Sequence, residues 1–565
     1  MSFTFITSAA DWGRIAPELV LAVFALLALI TDLLLPQPGK APRDGGNFMA
    51  LPLLSLVGLL GALAASIILF NFGDYLPAFN HMIGSDPGTL YAYFIILSAS
   101  ALGILLSPAY LKRLNLLHQG EYYALMLLGT IGMMIMVAAT SFLTIFLGLE
   151  MLSLALYILC GFVMSRTSSR ESSMKYFLLS SFASAILLYG IALTYGATGS
   201  TSFAGISYYL LHRADLLHLL PGTHVPTPTL LLIGMGLLIV GFAFKVSAVP
   251  FQAWTPDVYD GAPAPVTAFM SVGTKAAALI AFARVFAIVF APISTDWMPI
   301  VWAITILTIV GGNILALVQS NVKRLLAYSS IAHAGYLLIG VVAGGTVGLS
   351  AILFYLFSYT FLNLGAFGIV SVLERADNSG SSLSDIRGMW YRQPLLAGLL
   401  AFFMLSLAGF PPMAGFAAKY YIFYAALQSG HPELLITGVL ASVLGMYYYL
   451  RVIAAMFMEQ QPAAQSLDVL ATAAPAPAPG RRISSGKLSS GAATAVAVKA
   501  PTTPLSKEKT LVVAEKAVEQ PAIKGWTTWL ALGVTVAGTL LMGTVLAYWL
   551  VNLAQYAATV MMRIL

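Results

Sequence analysis

The sequence predicts an all-α polytopic membrane protein of about fourteen transmembrane helices. Of its 565 residues, 59% are hydrophobic and only 9% are charged, whereas soluble domains carry about 25% charged residues. The apolar residues are also gathered into segments of about 20 residues, the length that a helix needs to cross the hydrocarbon core of a bilayer. Together these two observations exclude a water-soluble fold.

Fourteen segments are long and apolar enough to span a membrane. They lie at 16–35, 49–71, 90–110, 122–139, 141–164, 175–196, 229–250, 264–290, 297–319, 326–345, 347–373, 394–428, 433–457 and 526–553. The first segment lacks a basic leader, so we expect a retained span rather than a cleaved signal peptide.

The basic residues of the connecting segments predict the orientation of the chain. With the N-terminus outside, the inward segments contain 20 lysines and arginines, and the outward segments contain three, Arg14, Arg213 and Arg563. Inward loops of membrane proteins carry such an excess of basic residues. The sequence therefore predicts both termini on the outer side, with the basic residues as anchors in the lipid bilayer and not as a nucleic-acid site.

Residues 459–525, between the last two spans, have a different composition. They contain an alternation of alanine and proline from Ala473 to Gly480, followed by a stretch rich in serine, glycine and threonine. Such a composition cannot build a packed core. We therefore expect a cytoplasmic linker that is largely disordered.

Seven basic or acidic residues lie well within the predicted spans, and a charge at bilayer depth costs about 2.5–3.5 kcal/mol on insertion scales. They are Glu150, Lys245, Lys275, Arg284, His333, Lys419 and Arg451. Arg284 and Arg451 lie toward helix ends, where a long side chain can reach the interface, so we interpret them as structural. His333 is equally consistent with a hydrogen-bonded core residue and with a functional one.

Lys245, Lys275 and Lys419 lie deep in apolar sequence and are the strongest functional candidates. Burial lowers the pKa of a lysine, and a nearby carboxylate raises it again. A buried lysine beside Glu150 can therefore take up and release a proton as the pair closes or opens. This chemistry favours proton transfer over a purely structural role, since a scaffold gains nothing evident from buried charge.

Two predicted spans are interrupted by proline. Lys245 precedes Pro250 and Pro256 in one span, and the run Gly409-Phe410-Pro411-Pro412 precedes Lys419 in another. Proline kinks a helix, and the freed backbone groups are tolerated at membrane depth only where protein or water meets them. Interrupted, charged spans in the two halves of a chain indicate a transport site in an inverted-repeat fold.

The predicted organisation has five parts. Residues 1–121 hold three N-terminal helices, 122–290 a first five-helix repeat and 297–458 a second five-helix repeat. The linker occupies 459–525, and 526–565 hold a C-terminal transmembrane helix.

Motifs of soluble enzymes provide no alternative to a transport function. The sequence contains no GxxxxGK[ST], HExxH or GxSxG motif, and no GxGxxG between a strand and a helix. Its single cysteine, Cys160, cannot by itself hold an iron–sulfur cluster or form a disulfide. We therefore expect no metal and no redox centre bound by this chain.

Three stretches resemble a known family. They are the run from Lys245 to Pro263, the run from Asn321 to Tyr336, and Leu407-Ala408-Gly409-Phe410-Pro411-Pro412. These stretches are similar to the signatures of subunit N of NADH-quinone oxidoreductase, the antiporter-like membrane subunit of bacterial respiratory complex I. The resemblance covers most of residues 15–458 and the final helix, and it implies an antiporter-like inverted repeat of two five-helix units with broken helices.

The resemblance implies proton-translocation roles for four residues. Glu150 matches the family's glutamate on the fifth helix, and Lys245 matches its partner on the seventh. Lys275 matches the eighth-helix lysine that links the two half-channels, and Lys419 matches the lysine on the broken twelfth helix.

Weaker candidates lie on the same polar axis. Lys175 and Lys323 match further basic positions of the family, and His333 joins them. Gln252 stands where many members carry a histidine, so the resemblance leaves open whether water replaces that group in proton transfer near Lys245.

The function that the resemblance implies is proton transport across a bacterial inner membrane, from the cytoplasm outward, coupled to quinone reduction elsewhere in the complex. NADH, FMN, iron–sulfur clusters and quinone are then expected in partner subunits, and the partners are antiporter-like neighbours and small hydrophobic subunits. The alternative is a subunit of a multi-subunit Na⁺/H⁺ antiporter or of a membrane-bound hydrogenase, which share this scaffold.

Overall fold

The computed structural model describes residues 8–35, 47–73, 75–116, 119–213, 227–375, 377–458 and 525–564. Within these ranges the secondary structure is helical, and extended pairing is limited to isolated β-bridges. The predicted linker at 459–525 lies outside the described residues, apart from Gly525.

The α-helices of the described residues are numbered in chain order. They are α1 (Ala9–Arg14), α2 (Ala16–Leu34), α3 (Ala50–Phe72), α4 (Pro87–Arg113), α5 (Gly120–Ala138), α6 (Phe142–Cys160), α7 (Thr167–Thr198), α8 (Phe203–Leu211), α9 (Thr229–Val246), α10 (Trp254–Gly261), α11 (Ala264–Ala283), α12 (Ser294–Leu317), α13 (Val322–Ala343), α14 (Gly345–Leu373), α15 (Met389–Arg392), α16 (Pro394–Ala408), α17 (Ala414–Gln428), α18 (Pro432–Phe457), α19 (Trp526–Gly543) and α20 (Ala547–Ile564). A π-helical turn, Arg284–Val289, extends α11.

The predicted polytopic helical fold is confirmed. Thirteen helices in the described residues are long and apolar enough to cross a membrane. The predicted span at 394–428 is divided into two helices of 15 residues each, α16 and α17.

Four spans form the centre of the bundle. Within an 18-residue apolar segment of each span, 94% of the residues are buried in α11 and in α13, 89% in α14 and 83% in α4. In α2 and α3 only 28% of these residues are buried. The peripheral helices therefore present apolar side chains outward, as expected for surfaces that contact lipid or other membrane subunits.

Glycines allow α5 and α6 to pack closely. A Cβ added at Gly132 would lie 2.5 Å from the backbone nitrogen of Leu152, and one at Gly148 would lie 2.7 Å from that of Met136. Both distances are far below van der Waals contact, so neither position accepts a side chain without separation of the two backbones. Small residues at such crossings are the usual means by which membrane helices approach one another.

Both predicted interruptions are present. Helix α9 ends at Val246, where Ser247 adopts a left-handed conformation with φ of 66°, and the chain resumes as α10 at Trp254. Helix α16 ends at Ala408, where Gly409 has φ of 91°, and α17 begins at Ala414. Each interruption thus leaves backbone carbonyls without helical partners inside the bundle.

The end of the chain differs from the prediction of one span at 526–553. The structure divides this segment into α19 and α20, with the break after Gly543. A Cβ at Gly543 would lie 2.2 Å from the carbonyl oxygen of Pro412, so α19 ends where its backbone meets the second interruption. Beyond the break, Ala554, Ala558 and Met561 form part of a buried stripe on α20.

Candidate functional site

Different clusters of charged residues lie at the two ends of the bundle. The start of α13, the end of α14 and the end of α4 meet at Lys323, Glu374 and Tyr110. We call this the basic end. The start of α4 meets the end of α11 at Asp86 and Arg284, and we call this the opposite end.

Lys245, in the last turn of α9, lies between two serines of neighbouring helices. Its Nζ atom donates to Ser153 Oγ of α6 and to Ser180 Oγ of α7, each at 2.7 Å. The ring of Tyr176 lies 5.9 Å from the same nitrogen. The side chain is 5% exposed, so these neutral hydroxyl groups replace water around its ammonium group.

Glu150 lies on α6, one turn before Ser153. Its Oε1 atom is buried and has no hydrogen-bond partner among the described residues. The sequence predicted that Glu150 and Lys245 form a pair that closes and opens. In this structure the lysine binds the two serine hydroxyls, and the pair is open.

Lys275 lies in the middle of α11 and connects it to α13. Its Nζ atom donates to both the backbone carbonyl and the hydroxyl of Ser330. The residue is 1% exposed, which makes it one of the most enclosed charged groups of the described chain. The contacts of Lys275 are therefore determined by the packing of α11 against α13.

His333 lies one turn beyond Ser329 and Ser330 on α13 and belongs to a chain of hydroxyl groups. Its Nδ1 atom shares a hydrogen bond of 2.6 Å with the Tyr355 hydroxyl, and its Nε2 atom shares one of 3.2 Å with the Tyr449 hydroxyl. The Tyr449 hydroxyl also bonds Ser329, the neighbour of the serine that holds Lys275. His333 thus lies on the polar axis between α11 and α18.

Lys419 lies on α17, just after the second interruption. Its Nζ atom donates to the carbonyl of Ala408, the last residue of α16, at 2.9 Å and to Ser442 Oγ of α18 at 2.8 Å. The ring of Tyr336 lies 5.4 Å away, and the same ring packs edge-on against His333. Lys419 therefore neutralises a helix C-terminus that the interruption leaves open.

A cavity of about 450 Å³ borders Lys419. Its wall includes Ser442 and the aromatic residues Phe416, Tyr420 and Tyr424, which are also partly exposed on the surface of the bundle. The lysine thus lies between the buried axis and open space along α17 and α18.

Lys323 belongs to a different cluster, at the basic end. Its Nζ atom lies 2.9 Å from Glu374 Oε2 and donates to the carbonyl of Ala262, at the end of α10, at 2.7 Å. Arg166 forms a second ion pair with Glu374, and Tyr110 donates to the same carboxylate at 2.6 Å. The structure does not bring Lys323 into contact with the three axial lysines.

The charge of Glu374 is stabilised by this cluster. Burial raises the pKa of the Glu374 carboxyl, but the positive charges of Lys323 and Arg166 and the hydrogen bond from Tyr110 outweigh burial and lower it below its ordinary value. Glu374 is therefore a carboxylate at neutral pH, although it is 1% exposed.

Lys175 lies at the surface and not in the axis. It forms ion pairs of 2.7 Å with Glu171 and 2.9 Å with Asp257, and its side chain is 42% exposed. Asp257 of α10 also pairs with Arg324 at 3.2 Å. This surface network joins α7, α10 and α13 at the basic end.

The two arginines that the sequence assigned to structural roles differ in their surroundings. Arg451 donates to the carbonyls of Leu317, at 2.7 Å, and of Gln319, and so stabilises the end of α12. Contrary to the expectation, the side chain of Arg284 does not extend toward the membrane interface. It is 1% exposed and pairs with Asp86 at 2.7 Å, because a buried carboxylate is available beside it.

Sequence reasoning missed the groups that hold the charges. These are Ser153, Ser180, Ser330, Ser442, Tyr449, Glu374 and Asp86. Ser153 offered a signal, since it lies three residues after Glu150 on the same helix. The other groups come together only through contacts between distant helices, which spacing along the chain does not reveal.

Side chains of the types that bind metals are scattered in the described residues. No group of three or more His, Cys, Asp or Glu side chains is placed to hold a metal ion in that part of the chain. Cys160 is buried. Its Sγ lies 3.8 Å from the sulfur of Met270.

Comparison with known proteins identifies the family. Residues 139–445 match the family described as "NADH:quinone oxidoreductase/Mrp antiporter, TM". The chain is 42% identical over 461 residues to NADH-quinone oxidoreductase subunit N of Trichlorobacter lovleyi, covering 82% of this chain and 90% of the relative. The chain belongs to the family of NADH-quinone oxidoreductase N subunits. The fold class and function predicted from the sequence, an antiporter-like membrane subunit of a proton-translocating NADH:quinone oxidoreductase, are thereby confirmed.

Solved structures agree with membership of the N-subunit family. A chain of respiratory complex I from Thermus thermophilus with bound aureothin is 28% identical, with a TM-score of 0.67 over 95% of this chain and 99% of that chain. A chain of the Mrp complex from Dietzia is 20% identical, with a TM-score of 0.72 over 98% of both chains. The second likeness concerns the fold alone, so the antiporter alternative has weaker support than subunit N.

Proposed function

We propose that Glu150, Lys245, Lys275 and Lys419 carry protons through this subunit. The observation that supports this proposal most directly is the burial of three lysines in apolar helices, each held by serine hydroxyls or backbone carbonyls. Buried charges in membrane spans typically mark ion pathways and proton relays. Neutral partners leave each ammonium group able to lose its proton without breaking an ion pair.

The order of transfer follows the contacts. Rearrangement of the open Glu150–Lys245 pair changes the electrostatic field around Lys275. Lys275 binds Ser330, and the adjacent Ser329 begins the hydroxyl chain through Tyr449 to His333. His333 then serves as the intermediate group toward Lys419, on the far side of the Tyr336 ring.

The direction of transport rests on the distribution of basic residues. The excess of lysine and arginine at the basic end is typical of the cytoplasmic side of an inner membrane. Protons would enter there and leave at the opposite end, with both chain termini on the outer side. The surface network of Lys175, Asp257 and Arg324 would lie at the cytoplasmic mouth.

An inverted repeat is consistent with the two interruptions. The first repeat would comprise the predicted segment 122–290 and the second would comprise 297–458. Each contains one broken helix with a left-handed residue at its break and a buried lysine beside it. The remaining helices, in 1–121 and 526–565, would flank the repeats.

The coupling to electron transfer would come from other subunits. NADH, FMN, iron–sulfur clusters and quinone would be bound by partner chains, and antiporter-like and small hydrophobic subunits would cover part of the apolar periphery. Lys323 and Lys175 would then support the axis from the basic end and would not carry protons along it.

Replacing Lys275 tests the proposed route. The complete complex carrying Lys275→Met is purified, and NADH-driven quinone reduction and proton translocation are measured in proteoliposomes. We expect intact assembly with a loss of proton translocation and of coupled quinone reduction. Wild-type rates of both activities in the assembled variant would contradict the route through Lys275.

A further inference from the structure

Two buried side chains meet at the opposite end of the bundle, away from the axial lysines. Glu18, in the first turn of α2, accepts a hydrogen bond from the Tyr93 hydroxyl of α4. Glu18 is 6% exposed and Tyr93 is 2% exposed. The other carboxylate oxygen, Oε2, is buried without a hydrogen-bond partner in the described part of the chain.

A second acidic group, Asp86, lies at the start of α4, seven residues before Tyr93. Asp86 caps the N-terminus of α4 and accepts hydrogen bonds from the Thr89 nitrogen at 2.9 Å and the Thr89 hydroxyl at 2.8 Å. Arg284 Nη2 contributes a further bond of 2.7 Å to Asp86 and also bonds Thr89 Oγ1 at 2.6 Å. The carboxylate of Asp86 is therefore fully compensated.

The two groups form one cluster because Thr89 and Tyr93 are four residues apart on α4. Residues at this spacing are neighbours on a helix face, about 5–6 Å apart. Thr89 binds the Asp86–Arg284 pair, and Tyr93 binds Glu18. Along this part of α4 the structure therefore buries two carboxyl groups and one guanidinium group.

Other charged groups near this end are paired or distant. Asp11 and Arg14 of α1 form their own ion pair at 3.0 Å, and Arg563 lies exposed near the end of α20. Helix α3, which packs on α2, has no charged side chain. Glu121 of α5 lies at the basic end, and Lys275 lies nine residues before Arg284 on α11.

The charges of the cluster do not balance if both carboxyl groups are ionised. Arg284 compensates Asp86, and nothing comparable compensates Glu18. A buried carboxylate without a partner is so costly that the group neutralises by binding a proton.

We infer that Glu18 and Tyr93 form a proton-holding site at the opposite end of the bundle, in which the Glu18 carboxyl is protonated at neutral pH. When Glu18 releases its proton, the carboxylate still accepts the hydrogen bond from the Tyr93 hydroxyl. Rebinding of the proton restores the neutral acid. The participation of this site in transport rests on the proposed function, whereas its protonation does not.

Infrared spectroscopy of the complete complex tests the protonation directly. A protonated carboxyl group has a carbonyl-stretching band that an ionised carboxylate lacks and that shifts in heavy water. We expect this band at neutral pH in the difference spectrum of wild type minus Glu18→Gln. The difference spectrum of wild type minus the control Glu121→Gln should lack it. Absence of the band for Glu18 would overturn the inference.

Tyr93→Phe provides a second variant that keeps Glu18. The change removes the hydrogen bond to the Glu18 carboxyl, so we expect the carbonyl-stretching band of the protonated Glu18 to move to higher frequency. If Glu18→Gln fails to assemble, this comparison decides alone, and a carbonyl-stretching region that is unchanged between wild type and Tyr93→Phe would overturn the inference.

Proton translocation separates this site from the axial route. We expect assembled Glu18→Gln complexes to lose proton translocation per NADH oxidised. Wild-type translocation in Glu18→Gln, beside a loss in Lys275→Met, would overturn the role of Glu18 in transport and leave the axial route intact. Wild-type translocation in Lys275→Met would instead contradict the axial route.

Discussion

Lys245 donates a hydrogen bond of 2.7 Å to the hydroxyl of Ser153, one turn along α6 from Glu150. The serine thus holds the ammonium group beside the carboxylate without forming the ion pair. On the proposed route, movement of the lysine along the surface of α6 exchanges the hydroxyl for the carboxylate.

Ser153→Ala should disturb this exchange. The loss of one hydrogen bond, about 1 kcal/mol, favours the closed pair with Glu150 and should lower proton translocation about fivefold. The rate of NADH-driven translocation in proteoliposomes provides the measurement. Ser55→Ala is the matched control, since Ser55 is a buried serine whose hydroxyl donates to the Leu51 carbonyl of its own helix. Equal rates for the two variants would contradict a role for Ser153.

Tyr449→Phe should interrupt the hydroxyl chain between Lys275 and His333. The Tyr449 hydroxyl bonds both Ser329 and His333, whereas the adjacent Tyr448 hydroxyl donates to Asn313 Oδ1 at 3.2 Å. We expect Tyr449→Phe to slow proton translocation severalfold and Tyr448→Phe to leave it near the wild-type rate. A route that bypasses His333 would give the two variants the same rate.

Glu374→Gln should destabilise the chain more than it affects proton transfer directly. The change leaves Lys323 and Arg166 as buried cations without their shared carboxylate, and breaking such a pair costs about 3–5 kcal/mol. The thermal transition of the purified complex should fall accordingly. Lys323→Gln combined with Glu374→Gln should cost less than the sum of the single changes, because the two residues interact. Additive costs would show that Lys323 does not depend on Glu374.

The stability that Glu374 contributes should depend on pH. Its pKa is lower in the folded chain than its ordinary value of 4.5. Its contribution is therefore complete above that value and is lost as the pH falls through the folded pKa. The difference in thermal transition between wild type and Glu374→Gln should be constant near neutral pH and narrow below pH 4.5. A difference that narrows at neutral pH would contradict this assignment.

The fold was largely predictable from the sequence because each span is a long apolar run and each interruption contains proline near glycine or serine. Burial of Lys245, Lys275 and Lys419 followed from their apolar neighbours. The hydrogen-bond partners of these lysines could not be predicted, since Ser180 and Ser442 are distant in sequence from the lysines that they bind.

The predicted loop anchors show another limit of sequence reasoning. Arg166 and Lys323 are two of the 20 basic residues predicted to lie in inward connecting segments, yet both converge on Glu374 inside the bundle. The positive charge of a loop predicts the side of the membrane on which it lies. It does not predict whether the side chain turns toward lipid headgroups or toward a carboxylate at the end of a neighbouring helix.

The most direct test of the proton route compares Lys245→Met with Lys175→Met in the complete complex. Lys245 is buried beside Glu150, whereas Lys175 is a half-exposed partner of Glu171 and Asp257. The measurement is the number of protons translocated per NADH oxidised in proteoliposomes. A loss in Lys245→Met with a wild-type ratio in Lys175→Met is the result that the proposed route predicts. A wild-type ratio in assembled Lys245→Met complexes would contradict it.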